Sequence, residues 1–281
     1  THKKHTVHFV DPPGDDNFLS DAAAALRAVD GVVMVADAID GVKVQGEKVW
    51  QFVKQNDLPA VIVVNKMERD RADFDQALGA ISDMLDVKLV KLQIPIGKGE
   101  NFSGVVDLLS NKAYTFPKDG SGKITSGDIP GDLADEVEAA RETMIEDIAE
   151  ADDSLVERYL EGEELKPEEL AGALAKGVRE GIFCPVAVSA ALFNMGSQPV
   201  MDLINQLLPS PADAKPVTGI NPKTKEEEER TADPAGPLTA LVFKTVTDPF
   251  AGQLSMVRVF SGTLKTDVQP LNPNRDTKER F

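Results

Sequence analysis

The chain has 281 residues, with 47 Asp and Glu against 30 Lys and Arg, a net charge of −17 and an isoelectric point near 4.6. At 42% apolar and 27% charged residues it holds enough hydrocarbon for one large or two ordinary domains, which excludes wholesale disorder. The acidity excludes a bulk basic clamp on nucleic acid, the single Cys184 excludes an intrachain disulfide, and no apolar run reaches the ~18 residues a bilayer-spanning helix needs. A reducing cytoplasm is the expected location.

Three runs rich in β-branched residues, Thr6 to Val10, Gly31 to Ala36 and Ala60 to Val64, read as strands. Between them Leu19, Ala22, Ala23, Leu26 and Val29, then Val42, Val49, Phe52 and Val53, repeat at helical spacing. This alternation predicts a parallel sheet covered on both faces. A further helix over Ala72 to Leu85 leads to strand material at Leu89 to Pro95. Phe102 to Phe116 alternates like strands, and Lys118 to Lys123 reads as a hairpin turn. From Gly131 to Ile182 there are 17 acidic and five basic residues, a local charge of −12, in a pattern that predicts two or three helices. Buried-strand character returns at Cys184 to Val188, followed by a helix from Gln198 to Leu208. The polar stretch Pro209 to Pro237 reads as a connection with an exposed turn, and Leu241 to Val246 and Leu254 to Phe260 as antiparallel strands.

Two motifs stand at the C-terminal ends of expected parallel strands, where such sheets bind ligands. Asp11-Pro-Pro-Gly14 offers a carboxylate for a water-bound Mg²⁺ and a glycine whose backbone N–H can approach a phosphate. Asn65-Lys-Met-Glu68 offers an amide for a base edge, a lysine stem to lie along a ring, and a carboxylate to accept from the N1–H and 2-amino group of guanine. Taken singly, either is also compatible with an ordinary turn or a solvated loop. A third loop, Ser189-Ala-Ala191, follows the last strand of this pattern. His2, His5 and His8 read as surface histidines, Trp50 as core, and the acidic block in the first instance as a solvated helical face.

In these motifs the chain resembles the translational GTPases, specifically elongation factor G and its paralogues. Further matches run in order along it: Asp30 to Val35, Gly41 to Gln45, Leu92 to Gly97, Phe102 to Leu108, Leu207 to Pro211, Thr247 to Gly252 and Arg258 to Gly262. The resemblance implies an α/β fold: a P-loop GTPase-type parallel sheet lacking its N-terminal P-loop strand, with an inserted α+β subdomain, followed by the start of an antiparallel β-barrel. The expected divisions are a partial GTP-binding domain at 1–94 and 184–212, the insertion at 95–183, a linker at 213–237 and a partial second domain at 238–281. The implied ligands are GTP or GDP with Mg²⁺. Asp11, Pro12, Pro13, Gly14 and Asp15 would lie at the phosphates, with Asp11 holding the metal through water, and Asn65, Lys66, Met67, Glu68 and the Ala190 backbone at the base.

Departures from the family pattern bear on the chemistry. Pro12 and Asp15 stand where the family has Thr and His, and that His orients the attacking water. Glu68 replaces an Asp, and Ala190-Ala191 a Ser-Ala pair. No Gly-x-x-x-x-Gly-Lys-Ser/Thr occurs; Gly120-Ser-Gly-Lys123 has Pro117 in place of the first glycine and Ile124 in place of the hydroxyl. The chain therefore reads as an internal fragment that by itself neither binds nor hydrolyses GTP appreciably. The intact protein is expected to drive translocation on the ribosome. Its expected contacts are the large-subunit stalk protein, through residues 131–182, and tRNA and rRNA, through domains outside this chain. The alternative is a non-hydrolysing or regulatory ribosome-binding paralogue; a related release or resistance factor is a third reading.

Overall fold

The computed structural model describes residues 1–163, 165–266 and 268–280. Glu164, within the acidic block, and Asp267 and Phe281, within the segment 238–281 read as a partial second domain, lie outside the described residues. The helices are α1 (Leu19–Leu26), α2 (Val44–Gln55), α3 (Phe74–Leu85), α4 (Ala134–Ala149), α5 (Asp153–Leu160), α6 (Pro167–Arg179) and α7 (Ser197–Leu207). The strands are β1 (Val32–Asp37), β2 (Ala60–Asn65), β3 (Leu89–Lys91), β4 (Gln93–Ile96), β5 (Gly104–Asp107), β6 (Lys112–Thr115), β7 (Thr125–Gly127), β8 (Cys184–Val188), β9 (Val217–Ile220), β10 (Glu227–Arg230), β11 (Thr239–Asp248), β12 (Gly252–Ser261), β13 (Leu271–Asn272) and β14 (Thr277–Lys278). They form two compact units, one of residues 1–9 and 31–208, the other of residues 10–30 and 209–281.

In the first unit a parallel sheet runs in the order β1-β2-β8-β3. Its inner strand β2 is a continuous β-branched run, 0–6% exposed from Ala60 to Val64, as expected of a strand covered on both faces. Edge strand β1 is more open, with Val35 62% exposed. The run read as one strand from Leu89 to Pro95 is two. β3 pairs in parallel with β8, and after Leu92 the chain enters the antiparallel sheet β4-β5-β6-β7. Leu92 belongs to both sheets, its N–H donating to Val186 at 3.1 Å and its carbonyl accepting from Leu108 at 2.9 Å.

Each helix of this unit has a local cause. Asp73 caps α3 by accepting from the Gln76 N–H at 3.0 Å, Phe74, Ala77, Leu78, Ile81 and Leu85 face inward, and Asp86 in the left-handed region ends it. The acidic block forms α4, α5 and α6, whose carboxylates leave an apolar face free. Met144, Ile148, Leu170, Leu174 and Val178 join Val61, Val90, Leu92 and Val106 in one core spanning both sheets. Trp50 is buried as expected, and burial pushes the Cys184 thiol up to about 12 while it donates to the Ala60 carbonyl.

Thr6 to Val10, expected as a strand, has no ladder partner among the described residues; Phe9 is 64% and Val10 44% exposed. β-Branched residues suit a pleated surface, but only a neighbouring strand satisfies the backbone. His2 is tied instead to α7, its Nε2 lying 2.6 Å from Asp202 Oδ1.

The second unit holds the antiparallel pair β11-β12 and the short ladders β9-β10 and β13-β14. α1 was expected to cover the parallel sheet, but it packs on β11. Acidic residues on and after the helix explain this: Lys244 lies 3.0 Å from Asp21, and the Arg258 fork grips Asp30 at 2.7 and 2.9 Å while also donating to the Ala28 carbonyl. The polar stretch read as a connection folds into the β9-β10 hairpin, where Asn221 Oδ1 accepts from the N–H groups of Lys223 and Thr224.

One ion-pair network sets an acid limit. Glu169 accepts from Arg158 at 2.8 Å and caps the Lys166 N–H at 2.9 Å, and these bonds, Arg158 first, lower its carboxyl to about 2. Because the folded value lies below the unfolded one, the stabilisation is complete above the ordinary glutamate range and is lost as pH falls toward about 2. Glu169→Gln should flatten stability against pH over that window in acid melts followed by circular dichroism; an unchanged profile would exclude Glu169 as its source.

Candidate functional site

β1, β2 and β8 end side by side, with Asp37 opposite Asn65 in the ladder and the Ser189 N–H donating to the Val64 carbonyl at 2.9 Å. The loops leaving β2 and β8 therefore begin on rigid strand ends. Asn65 Oδ1 accepts from Ser189 Oγ at 3.0 Å and from the Ala191 N–H at 3.0 Å. The Ala191 N–H can only donate, which fixes the orientation of the amide and leaves its NH₂ as the end available to a ligand.

Lys66 takes a left-handed conformation, φ 70°. This is a costly state for a lysine, and such backbone concentrates at functional loops. Its Nζ lies 2.6 Å from Asp37 Oδ2. Burial raises the Asp37 carboxyl, yet the Lys66 hydrogen bond and the Ile39 N–H outweigh it and hold it below the usual carboxylate range. Met67 is fully buried; its N–H donates to the Ser189 carbonyl at 3.3 Å and its carbonyl accepts from Gly99 at 2.9 Å. With its neighbour anchored on both sides, Glu68 holds a fixed place. Its Oε2 is shielded from solvent and has no hydrogen-bond partner. A buried carboxylate oxygen without a donor is expensive, so a ligand carrying N–H groups would relieve it.

Ala190 is buried and its N–H donates to the Met195 carbonyl at 3.0 Å, which leaves the neighbouring Ala191 N–H as the backbone donor beside Asn65. Asn65, Lys66, Met67, Glu68 and Ala190 thus share one loop cluster in the first unit. Asp11 to Asp15 lie in the second unit. There Asp11, Pro13 and Gly14 are exposed, Pro12 is half-buried, and nothing stands within 4 Å of where a Gly14 Cβ would be. Asp15 is turned back on its own chain: its Oδ1 accepts from Asn17 N at 3.0 Å and Asn17 Nδ2 at 2.7 Å, capping the turn Asp16–Phe18.

Two supporting residues escaped the sequence reading. Asp37 steers Lys66, and its signal was an acid at the C-terminal end of a parallel strand. Gln93, 1% exposed, accepts from the Val188 N–H at 2.9 Å and so steadies the strand end before Ser189. Gln93 lies within the matched run Leu92 to Gly97, but that run does not show its role, because its partner lies 95 positions away.

A parallel α/β sheet with polar loops at its C-terminal edge, followed by antiparallel strands, is consistent with a nucleotide-binding domain of the P-loop GTPase type. The sequence profile of the elongation factor Tu GTP binding domain matches residues 1–210, three quarters of the chain, and the chain belongs to that family of translational GTPases. A crystal structure of a protein from Thermus thermophilus is similar, with a TM-score of 0.76 and 30% identity over 92% of this chain. The match covers 36% of that protein, so the chain spans little more than a third of its relative's length. Among the described residues no helix is long and apolar enough to cross a membrane.

Proposed function

We propose that the chain is part of a cytoplasmic, ribosome-dependent GTPase of the elongation factor G kind, which couples hydrolysis of GTP to GDP and phosphate to movement of tRNA and mRNA. The observation that supports this best is the pairing of an amide with its nitrogen left free, Asn65, with a buried carboxylate oxygen lacking a donor, Glu68. Guanine presents an acceptor edge to the first and two N–H donors to the second; adenine offers no donor pair for a carboxylate. Lys66, held by Asp37, would lie along the ring, while the Ala191 N–H holds the Asn65 amide in place.

At the phosphate end the open space about Gly14 suits close approach of a phosphate oxygen. The exposed Asp11 carboxylate fits Mg²⁺ only as one ligand among water and phosphate oxygens, where the ion would neutralise charge on the transferred group. In this reading residues 1–94 and 184–212 belong to the GTP-binding domain. Residues 95–183 are an insertion, 213–237 link to the second domain, and 238–281 open a β-barrel. The −12 segment at 131–182 would meet a lysine-bearing stalk protein of the large subunit, with tRNA and rRNA contacted elsewhere. Binding to that stalk protein should weaken steeply with added salt, and affinity unchanged from low to high salt would remove this partner.

Asp15 favours a second reading. Its carboxylate stands where the family has the water-orienting His and is engaged by Asn17, so the protein could bind GTP on the ribosome as a regulatory factor without turning it over. Multiple-turnover GTP hydrolysis by the intact protein with and without ribosomes decides between them. Ribosome-stimulated phosphate release is the expected result; guanine binding without turnover selects the second reading, and no guanine preference defeats both.

A further inference from the structure

We propose that the loop of residues 118–123, between β6 and β7, is a latch that positions the base-recognition turn after β8, with Gly122 and Asn194 as its positioning residues. The inference rests on the guanine reading of Asn65 and adds a control on nucleotide release. Asn194 Nδ2 donates to the Gly120 carbonyl at 3.2 Å. Gly122 is buried, has φ +66°, and a Cβ on it would lie 2.5 Å from Asn194 Nδ2 and 3.0 Å from its Cγ. A side chain at 122 would strain that backbone and push the Asn194 amide aside.

The latch is itself stiff. Asp119 Oδ1 accepts from the Ser121 N–H at 2.8 Å, Ser121 Oγ accepts from the Lys123 N–H at 3.2 Å, and the Lys118 ammonium donates to the Glu100 carbonyl. What it seats is a short three-residue turn, Ala191–Phe193, closed at its base by reciprocal bonds between Ala190 and Met195 at 3.0 and 3.2 Å and ended by Asn194 at φ 54°, with the Asn194 N–H on the Ala191 carbonyl at 3.0 Å. That turn presents the Ala191 N–H to Asn65 Oδ1. A continuous line of contacts therefore runs from the loop of the inserted subdomain, through Asn194 and Ala191, to the amide whose free end meets the base. Displacing Asn194 frees Ala191, and Asn65 then loses one of the two donors that fix which end of its amide faces outward.

The test measures release of a fluorescent GDP analogue from the intact protein, with thermal melts alongside. Gly122→Ala and Asn194→Gly should each speed release about fivefold to tenfold, the scale of one lost hydrogen bond. The double variant should release no faster than Asn194→Gly alone, since the added methyl then has no side chain to displace. Wild-type release rates in both single variants, or additive effects in the double, would overturn the latch. If those rates stay at wild type while Asn65→Ala loses GDP, the guanine reading stands without it. If Asn65→Ala binds GDP as wild type does, the guanine reading fails and the latch fails with it.

Discussion

Asn65→Ala is expected to weaken guanine nucleotide binding by the intact protein roughly hundredfold, as read by isothermal titration. The amide works in two directions. Its oxygen satisfies the Ser189 hydroxyl, on a residue only 5% exposed, and the Ala191 N–H; its nitrogen is left for the base. Alanine removes both functions, so two donors lose their partner and the side-chain tie between the loops leaving β2 and β8 is lost. Asn65→Asp separates the two roles. A carboxylate still accepts from Ser189 and Ala191 but presents no donor to a base edge, so affinity should fall while the melting temperature stays near wild type. Retained GDP affinity in Asn65→Asp would remove the amide nitrogen from base recognition.

Asp15→His should raise ribosome-stimulated GTP hydrolysis by the intact protein, by about a hundredfold if the imidazole takes up general acid–base positioning. Asp15 now spends its carboxylate on the Asn17 N–H and side-chain amide, which holds a negative charge on a turn that a phosphate would have to approach. A neutral imidazole removes that repulsion and can hold a water. The side chain is exposed, so the exchange should cost little stability. Turnover that stays at the wild-type rate, with GTP affinity unchanged, would show that Asp15 does not limit the reaction.

Much of the first unit was legible as pattern. The β-branched run at Ala60 to Val64 became an inner strand because only a strand covered on both faces tolerates it, and the 3.6-residue spacing of Phe74, Leu78, Ile81 and Leu85 became α3. Asn65 to Glu68 stood out because polar residues closed an apolar strand. Thr6 to Val10 showed the limit of such signals: its composition matches that of a strand, but pairing is a property of two segments. The same limit hid the division of Leu89 to Pro95 between two sheets, since Leu92 is shared by partners at Val186 and Leu108.

The −17 charge likewise acquired meaning only by location. Sequence alone determined the concentration of acid in residues 131–182, the two loop motifs and the absence of a Gly-x-x-x-x-Gly-Lys-Ser/Thr pattern, because all of these are local in the chain. Tertiary structure decided which end of Asn65 is free, that Asp37 holds Lys66, that the Ala190 N–H is spent on Met195 while Ala191 faces Asn65, and that Asn194 donates to the Gly120 carbonyl. The reason is that a hydrogen bond commits a donor or an acceptor to one partner, and most of these partners are separated by tens of residues. Spacing along the chain shows which groups could meet; only the packed structure shows which groups remain unspent.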